Sequence, residues 1–379
     1  MLDDAGREFA DVVRRFALEQ LDDPGLRVRE RAGEFWEEGW RRCAQMGLCG
    51  LPAPVEHGGA GTDRVTTAAA LEALGYGCAD GGLVFSINAH LWSAVVPLWQ
   101  YGSDAQRAKY LGKLCRGEWV GLHAMTEPES GSDAFGLATT ARREGDGFVL
   151  RGRKALITNA PLAGLFIVFA RSPGSEGPLG VTAFVLEAST AGLEVGPITQ
   201  KLGLRTSPMA ELALDDVRVT GDSILGREGR GARIFGTSME WERSLIMASQ
   251  LGVLERALEE AVEYARSRHQ FGAPIGSFQS VANRLSDTRA GLDAARAIVY
   301  EAAWRYDNGE SDAAVAAAAK LVATETVVRA ALDLLQVHGG HGYTDQLSAD
   351  RRLRDALGSL FYSGTSDMMR RIVSRSLGL

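Results

Sequence analysis

The 379-residue sequence predicts an α+β protein built in three successive parts: helical, then β-rich, then helical again. Three observations carry that expectation. Up to about residue 118 apolar residues recur at helical spacing, as Phe9, Val12, Val13 and Phe16 do on one face. Between about 119 and 227 the texture changes to short β-rich runs punctuated by Gly, Pro and Asp. After Gly231 the helical period returns in alanine-rich segments and holds to the end. The division that follows is an N-terminal helical domain over 1–118, a central β domain over 119–227 and a C-terminal helical bundle over 228–379.

In the first part Ser103 and Gln106 have the spacing of a capping box for the helix that carries Tyr110 and Leu111. The most apolar stretch, residues 81–101, is interrupted by Ser86, Asn88, His90, Ser93 and Pro97, which predicts a core helix and no membrane span. In the second part the runs FVL, GLFIVFA, VTAFVLEA and AELALDDVRV favour a compact antiparallel sheet or barrel over alternating βαβ units. No GxGxxG follows a predicted strand, so a Rossmann domain is a poor match. In the third part long helices are expected across 232–268, 278–307 and 312–337, joined by short turns such as FGAPIG into a bundle.

Composition narrows the function classes. Hydrophobic residues at 45% and charged residues at 23% are ordinary for a folded globular chain. A formal charge of −7 with a pI near 5.5 argues against a nucleic-acid surface, which needs a concentrated basic field. Cys43, Cys49, Cys78 and Cys115 lack metal-ligand spacing and read as reduced, mostly buried thiols. The opening MLDDAGREFADVV has no basic-then-apolar signal pattern, and the expected location is cytoplasmic.

Four segments hold residues suited to chemistry. MTEPESGSD (125–133) makes a Pro- and Gly-containing loop whose N–H groups and hydroxyls can face a polar, planar ligand; on residues alone a decorated surface turn is the favoured reading. RSRHQFG (266–272) ends a long helix with cations, which favour a helix C-terminus or could grip a pyrophosphate. QVHGGHGY (336–343) sets consecutive glycines where backbone approaches something closely. Its two histidines, on a glycine turn with no accompanying cysteine or carboxylate pair, do not make a metal site. LFYSGTSDMM (360–369) looks ligand-facing, yet Ser363, Gly364, Thr365 and Ser366 include no strong acid or base.

Together with KALITN (154–159), these segments closely resemble the acyl-CoA dehydrogenase family over nearly the whole chain. The resemblance implies an N-terminal helical domain, a central β domain and a C-terminal four-helix bundle, assembled as a homotetramer with FAD at domain and subunit interfaces. Carried over residue by residue, it assigns Met125, Thr126, Gly131 and Ser132 to the loop that contacts the flavin and Thr158 to the following strand. Arg268 and Phe271 match residues that hold the pyrophosphate and adenine end across a subunit boundary, with Gln336 and Gly340 in the partner glycine turn. Thr365 matches the threonine after the usual catalytic position. Two positions depart from the pattern: Leu156 stands where many members have tryptophan, and Gln270 replaces a common hydroxyl residue.

The implied reaction removes a proton from the α carbon of an acyl thioester and transfers hydride from the β carbon to FAD. It needs a carboxylate at the α carbon and donors on the carbonyl oxygen. The usual glutamate position is Ser363 here. Some relatives place the glutamate on an earlier helix before an arginine, which points to Glu242 followed by Arg243. On a helix Glu242 neighbours Met239, Leu245 and Ile246, an apolar stripe whose burial raises a carboxyl pKa, whereas Glu240 points roughly opposite. A solvated helix face is the alternative for Glu242 read without the resemblance. Ser363 keeps a role through its backbone N–H, placed to polarise the thioester carbonyl.

MEWER, FYSGTSD and GCADGGLVFSINAH (77–90) resemble the family's carrier-protein-dependent branch, the L-prolyl-carrier-protein dehydrogenases. That implies a phosphopantetheine-tethered prolyl or related thioester, with CoA thioesters able to use the same arm and an electron-transfer flavoprotein or oxygen as acceptor. An acidic carrier calls for a basic patch, for which Arg351, Arg352 and Arg354, or Arg151, Arg153 and Lys154, are candidates. The competing readings are a dehydrogenase for a short or branched acyl-CoA, a fold-related flavin monooxygenase that does not need Glu242, and a catalytically degenerate scaffold.

Overall fold

The computed structural model describes residues 2–172, 177–310 and 312–379. Helix α1 (Asp4–Gln20) begins where Asp3 accepts a hydrogen bond from the Gly6 N–H, and α2 (Arg64–Gly77) begins where Asp63 accepts from Thr66. Each cap satisfies a donor that the helix start leaves open. The apolar stretch forms α3 (Gly81–His90), a π turn over Leu91–Val95 and a further helix to Tyr101, almost wholly inside the protein. The Ser103–Gln106 capping box is formed as expected. All four cysteines are buried and free.

The central sheet contains β1 (Val120–Ala124), β2 (Thr140–Glu144), β3 (Gly147–Thr158), β4 (Ala163–Arg171), β5 (Val181–Glu187), β6 (Leu193–Val195) and β7 (Met209–Thr220). Its order is β1-β4-β2-β3-β7-β6, with β5 also paired to β4. The expected antiparallel pairing holds for β2–β3, β3–β7, β4–β5 and β6–β7, while β1 runs parallel to β4 and β2 meets β4 in the same sense, which makes the sheet mixed. Between β1 and β4 the chain makes the 125–133 loop and the β2–β3 hairpin, a connection long enough to return it to the start of β1. On β4 the alternation is clean. Leu165, Ile167 and Phe169 enter the core shared with the helices, and Phe166, Val168 and Ala170 enter a second core within the β region.

The helix expected over 232–268 is two helices, α4 (Gly231–Leu245) and α5 (Ala248–Ser267). At the break the Ser244 hydroxyl bonds the Glu240 and Trp241 carbonyls and the Ser249 hydroxyl reaches that of Ile246, so side chains compete with the helical ladder there. Next come α6 (Gln279–Asp307), α7 (Ala313–Val337), α8 (Ala349–Gly358) and α9 (Ser366–Ser376). Helix α5 crosses α2 so closely that a Cβ on Gly75 would lie 1.9 Å from the Ser249 carbonyl oxygen, and one on Gly252 would lie 1.9 Å from that of Glu72. Only glycine fits at either position, and the contact locks the first helical part to the bundle.

Candidate active site

Glu242 lies in the last turn of α4, buried at 8% exposure beside Met239, Trp241 and Leu245. Its Oε1 accepts a 2.6 Å hydrogen bond from the Ser363 hydroxyl, while Oε2 is buried with no partner among the described residues. Burial raises the carboxyl above the ordinary glutamate value; the Ser363 hydrogen bond and the charges of Arg243 and Lys320 pull it partly back. A carboxylate with one oxygen held and the other unpartnered is a base that has a vacant acceptor.

Ser363 sits in the turn between α8 and α9, which has two left-handed residues in succession, Ser363 at φ 59° and Gly364 at φ 89°. Ser366 N–H closes the turn on the Leu360 carbonyl at 3.2 Å, and Arg243 Nε donates to the Ser363 carbonyl at 3.1 Å. Thr365 caps α9, its hydroxyl accepting from Met368 N–H. Among the described residues nothing accepts from the N–H groups of Ser363, Gly364 or Thr365. Three consecutive free donors thus stand on the turn that holds Glu242. One wall of this place comes from α3, whose Phe85 packs against Tyr362 with ring centroids 4.7 Å apart.

A second group is built from the 125–133 loop and β3. Glu127 and Lys154 form a 2.7 Å ion pair with both side chains inside, and Lys154 also donates to the Met125 carbonyl. Glu127 accepts further hydrogen bonds from the N–H groups of Ala138 and Thr139, and these partners hold its carboxyl below the ordinary value despite burial. The pair pins the loop so that the Thr126 carbonyl meets Ala155 N–H at 2.9 Å, which brings half-buried Thr126 beside the strand end that carries Thr158. Between them Leu156, at φ 57° on a bulge of β3, is 60% exposed. Gly131 and Ser132 lie on the exposed limb of the loop.

A third group stands at the open end of the bundle. Arg268 follows α5, Phe271 is 96% exposed at the tip of a small hairpin, and Gln336 and Gly340 are exposed at the end of α7. Tyr264 packs against His338 with tilted rings, centroids 4.8 Å apart, and holds the ends of α5 and α7 together. A Cβ on Gly340 would touch nothing, and its backbone is not left-handed, so this chain's own packing does not demand glycine there. The three groups suit the parts of an FAD: free amides and an exposed apolar Leu156 toward a planar ring, exposed Arg268 and an open glycine turn toward the charged and adenine ends.

Sequence reading did not find the buried Glu127–Lys154 pair, and it placed Lys154 on a docking patch. That expectation is corrected, and so is the second cluster. Arg351 is buried, Arg352 makes two bonds to Glu260, and Arg354 is paired with Glu30 and Asp350. Glu260 and Glu30, which pair with Arg352 and Arg354, come from distant parts of the chain that a linear reading does not bring to them. It also passed over Lys320, whose signal was present as a lone lysine in the alanine run of α7.

A chain with this α, β, α order and a buried glutamate facing free backbone donors belongs to the acyl-CoA dehydrogenase family. The family models for the Acyl-CoA dehydrogenase N-terminal, middle and C-terminal domains match residues 3–118, 123–217 and 229–378. Within that family it is similar to the L-prolyl-[peptidyl-carrier protein] dehydrogenase of Pseudomonas fluorescens (strain Pf-5), 37% identical over 378 residues that cover 100% of this chain and 99% of that one. Among solved structures, the prolyl acyl carrier protein oxidase AnaB matches with TM-score 0.97 at 41% identity over 100% of both chains. PigA with FAD and proline matches with TM-score 0.97 at 37% identity, over 100% of this chain and 99% of that one.

Proposed function

We propose that this chain catalyses FAD-dependent α,β-dehydrogenation of a prolyl or similar aminoacyl thioester tethered to a carrier protein, in natural-product biosynthesis. The observation that carries the reading is Glu242: buried, its pKa raised, one oxygen held by Ser363 and the other unpartnered. Full-length similarity to prolyl-carrier enzymes supplies the substrate class.

Glu242 Oε2 takes the α proton of the thioester, and its raised pKa matches it to that task. The free N–H of Ser363 meets the thioester carbonyl oxygen and stabilises the charge that develops there as the proton leaves. Arg243, bonded to the Ser363 carbonyl, keeps that N–H in place. Met125, Thr126, Gly131, Ser132, Thr158 and Thr365, with Arg268, Phe271, Gln336 and Gly340 toward the distal end, would hold an FAD, which would supply the acceptor for the β hydride.

The chain works in this reading as a homotetramer. The exposed Phe271 and the 87% exposed Tyr343, beside a glycine turn open to an outside group, support a subunit contact at that end of the bundle. Size-exclusion chromatography with light scattering tests it, and a monomeric holoenzyme overturns it.

The deciding experiment is an anaerobic visible spectrum of purified protein mixed with prolyl-carrier protein, alongside an acyl-CoA panel. Bleaching of the flavin by the tethered prolyl group alone supports the proposal. Bleaching by acyl-CoA alone moves the enzyme to ordinary acyl-CoA oxidation, and a need for a separate flavin reductase moves it to monooxygenation. Repeating the turnover in air with and without an electron-transfer flavoprotein identifies the acceptor.

A further inference from the structure

Lys320 is fully buried on α7, among Ala316, Ala317, Ala319 and Ala323. An ammonium in such a place is stable only where it is well bonded, because burial strips away its hydration. Its Nζ donates to the Ser359 carbonyl at 2.7 Å and to the Gly364 carbonyl at 2.9 Å, and it stands 5.7 Å from the Tyr362 ring centroid. The two carbonyls bracket the turn that contains Ser363. The small alanines are what let that backbone come down onto the helix. Arg243 grips the carbonyl just before Gly364, so consecutive carbonyls in a left-handed stretch are each held by a cation from a different helix. With its carbonyls turned to the cations, the turn leaves the N–H groups of Ser363, Gly364 and Thr365 free.

We propose that Lys320 is a positioning residue for the reaction, holding the turn that offers its amides and the Ser363 hydroxyl to Glu242 and the thioester, and placing a cation on the carbonyl next to the residue that bonds Glu242. This rests on the reading of Glu242 as the base. The charged and titratable groups around Lys320 are Glu242 and Arg243 from α4, Tyr362 from the turn and Glu325 from α7 itself. Burial lowers Lys320 to about 8, so it is mostly charged at neutral pH, and its charge lowers the Glu242 pKa.

The test uses the FAD-loaded parent, Lys320→Met and Lys320→Gln. In the first arm, without substrate, the infrared carboxyl band that is absent from Glu242→Gln is titrated. The band should persist to higher pH in Lys320→Met than in the parent. In the second arm, anaerobic flavin reduction by prolyl-carrier protein is followed against pH. Lys320→Met should be slower by about 10²-fold, the scale of a misplaced catalytic group, with its acid limb moved to higher pH. Should Lys320→Met fail to fold, Lys320→Gln, which keeps N–H donors without charge, should show the same displacement of the band and a smaller loss of rate. A folded variant with the parent's titration and the parent's profile overturns the proposal. If prolyl-carrier protein fails to reduce the parent, the functional reading falls, and the infrared arm still decides whether Lys320 tunes Glu242.

Discussion

Glu127 and Glu242 are both buried glutamates, and their surroundings are opposite. Glu127 has a lysine and two backbone N–H groups on its oxygens, and its pKa is lowered. Glu242 has one hydroxyl on one oxygen and no partner among the described residues on the other, and its pKa is raised. The first carboxylate is spent on holding a loop to a strand. The second is left short of partners, an arrangement that costs stability and leaves an acceptor available for a proton. Burial alone therefore does not mark a catalytic acid or base; incomplete satisfaction beside free donors is what supports the proposal of Glu242 as one.

The largest effect that would break this contrast is in chemistry. Glu242→Gln preserves shape and bound FAD but cannot take a proton, and flavin reduction by the tethered prolyl substrate should fall by about 10²–10⁴-fold. Stopped-flow absorbance under nitrogen measures it. A variant that bleaches as fast as its parent refutes Glu242 as the base. Glu127→Gln, assayed alongside, should keep far more of the rate in whatever fraction remains folded.

In stability the order reverses. Lys154→Met leaves Glu127 charged and unpaired inside the protein, and a broken buried pair of this kind destabilises by about 3–5 kcal/mol. Denaturant unfolding of the holoenzyme reads it, and adding Glu127→Gln to Lys154→Met should recover part of the loss. A loss no larger than that of an exposed pair such as Arg7–Asp4 would show that the pair does not anchor the loop.

Glu242→Gln should instead raise the unfolding temperature at neutral pH. The folded pKa of Glu242 lies above its unfolded value, so the folded state binds more protons between the two, and stability falls as pH rises through that window. Glutamine carries no such ionisation cost. The gain should be full above the raised pKa and shrink to nothing as pH falls toward the ordinary glutamate value of 4.5. Calorimetry at several pH values checks it, and a gain that grows on acidification contradicts the sign.

The same contrast explains what the sequence made legible. Helical period in Phe9, Val12, Val13 and Phe16, and β-rich runs such as GLFIVFA, report on local burial, and they located the three-part order. The parallel pairing of β1 with β4 depends on a long connection, and the serine hydroxyls at the break near Ile246 and Met247 also accept from Arg64 and Asn88 of distant helices. In the site, Glu242 before Arg243 could be picked out by resemblance, with its apolar neighbours supporting burial. The Ser363 hydrogen bond, 121 residues away along the chain, could not, nor could the pairing of Lys154 with Glu127, which turned an expected surface cation into an interior one.

The finest test lies within the Glu242 site. Ser363→Ala removes the one hydrogen bond to Oε1 and leaves the backbone as it is, since alanine and serine tolerate the left-handed φ of 59° about equally. The amide N–H toward the thioester carbonyl stays in place. What changes is the carboxyl: it loses a donor that stabilises its charged form, so its pKa rises further. A hydrogen bond to a charged group contributes about 1.5–3 kcal/mol, and one pKa unit corresponds to about 1.4 kcal/mol. The acid limb of flavin reduction should therefore move up by about one to two units, with a loss of roughly tenfold or more at pH values on that limb and little loss above it. The parent's limb should itself lie above pH 4.5. A variant with an unmoved limb and a uniformly lower rate would show that the hydroxyl orients Glu242 without setting its charge, making Glu242 less distinct from Glu127 than their partners suggest.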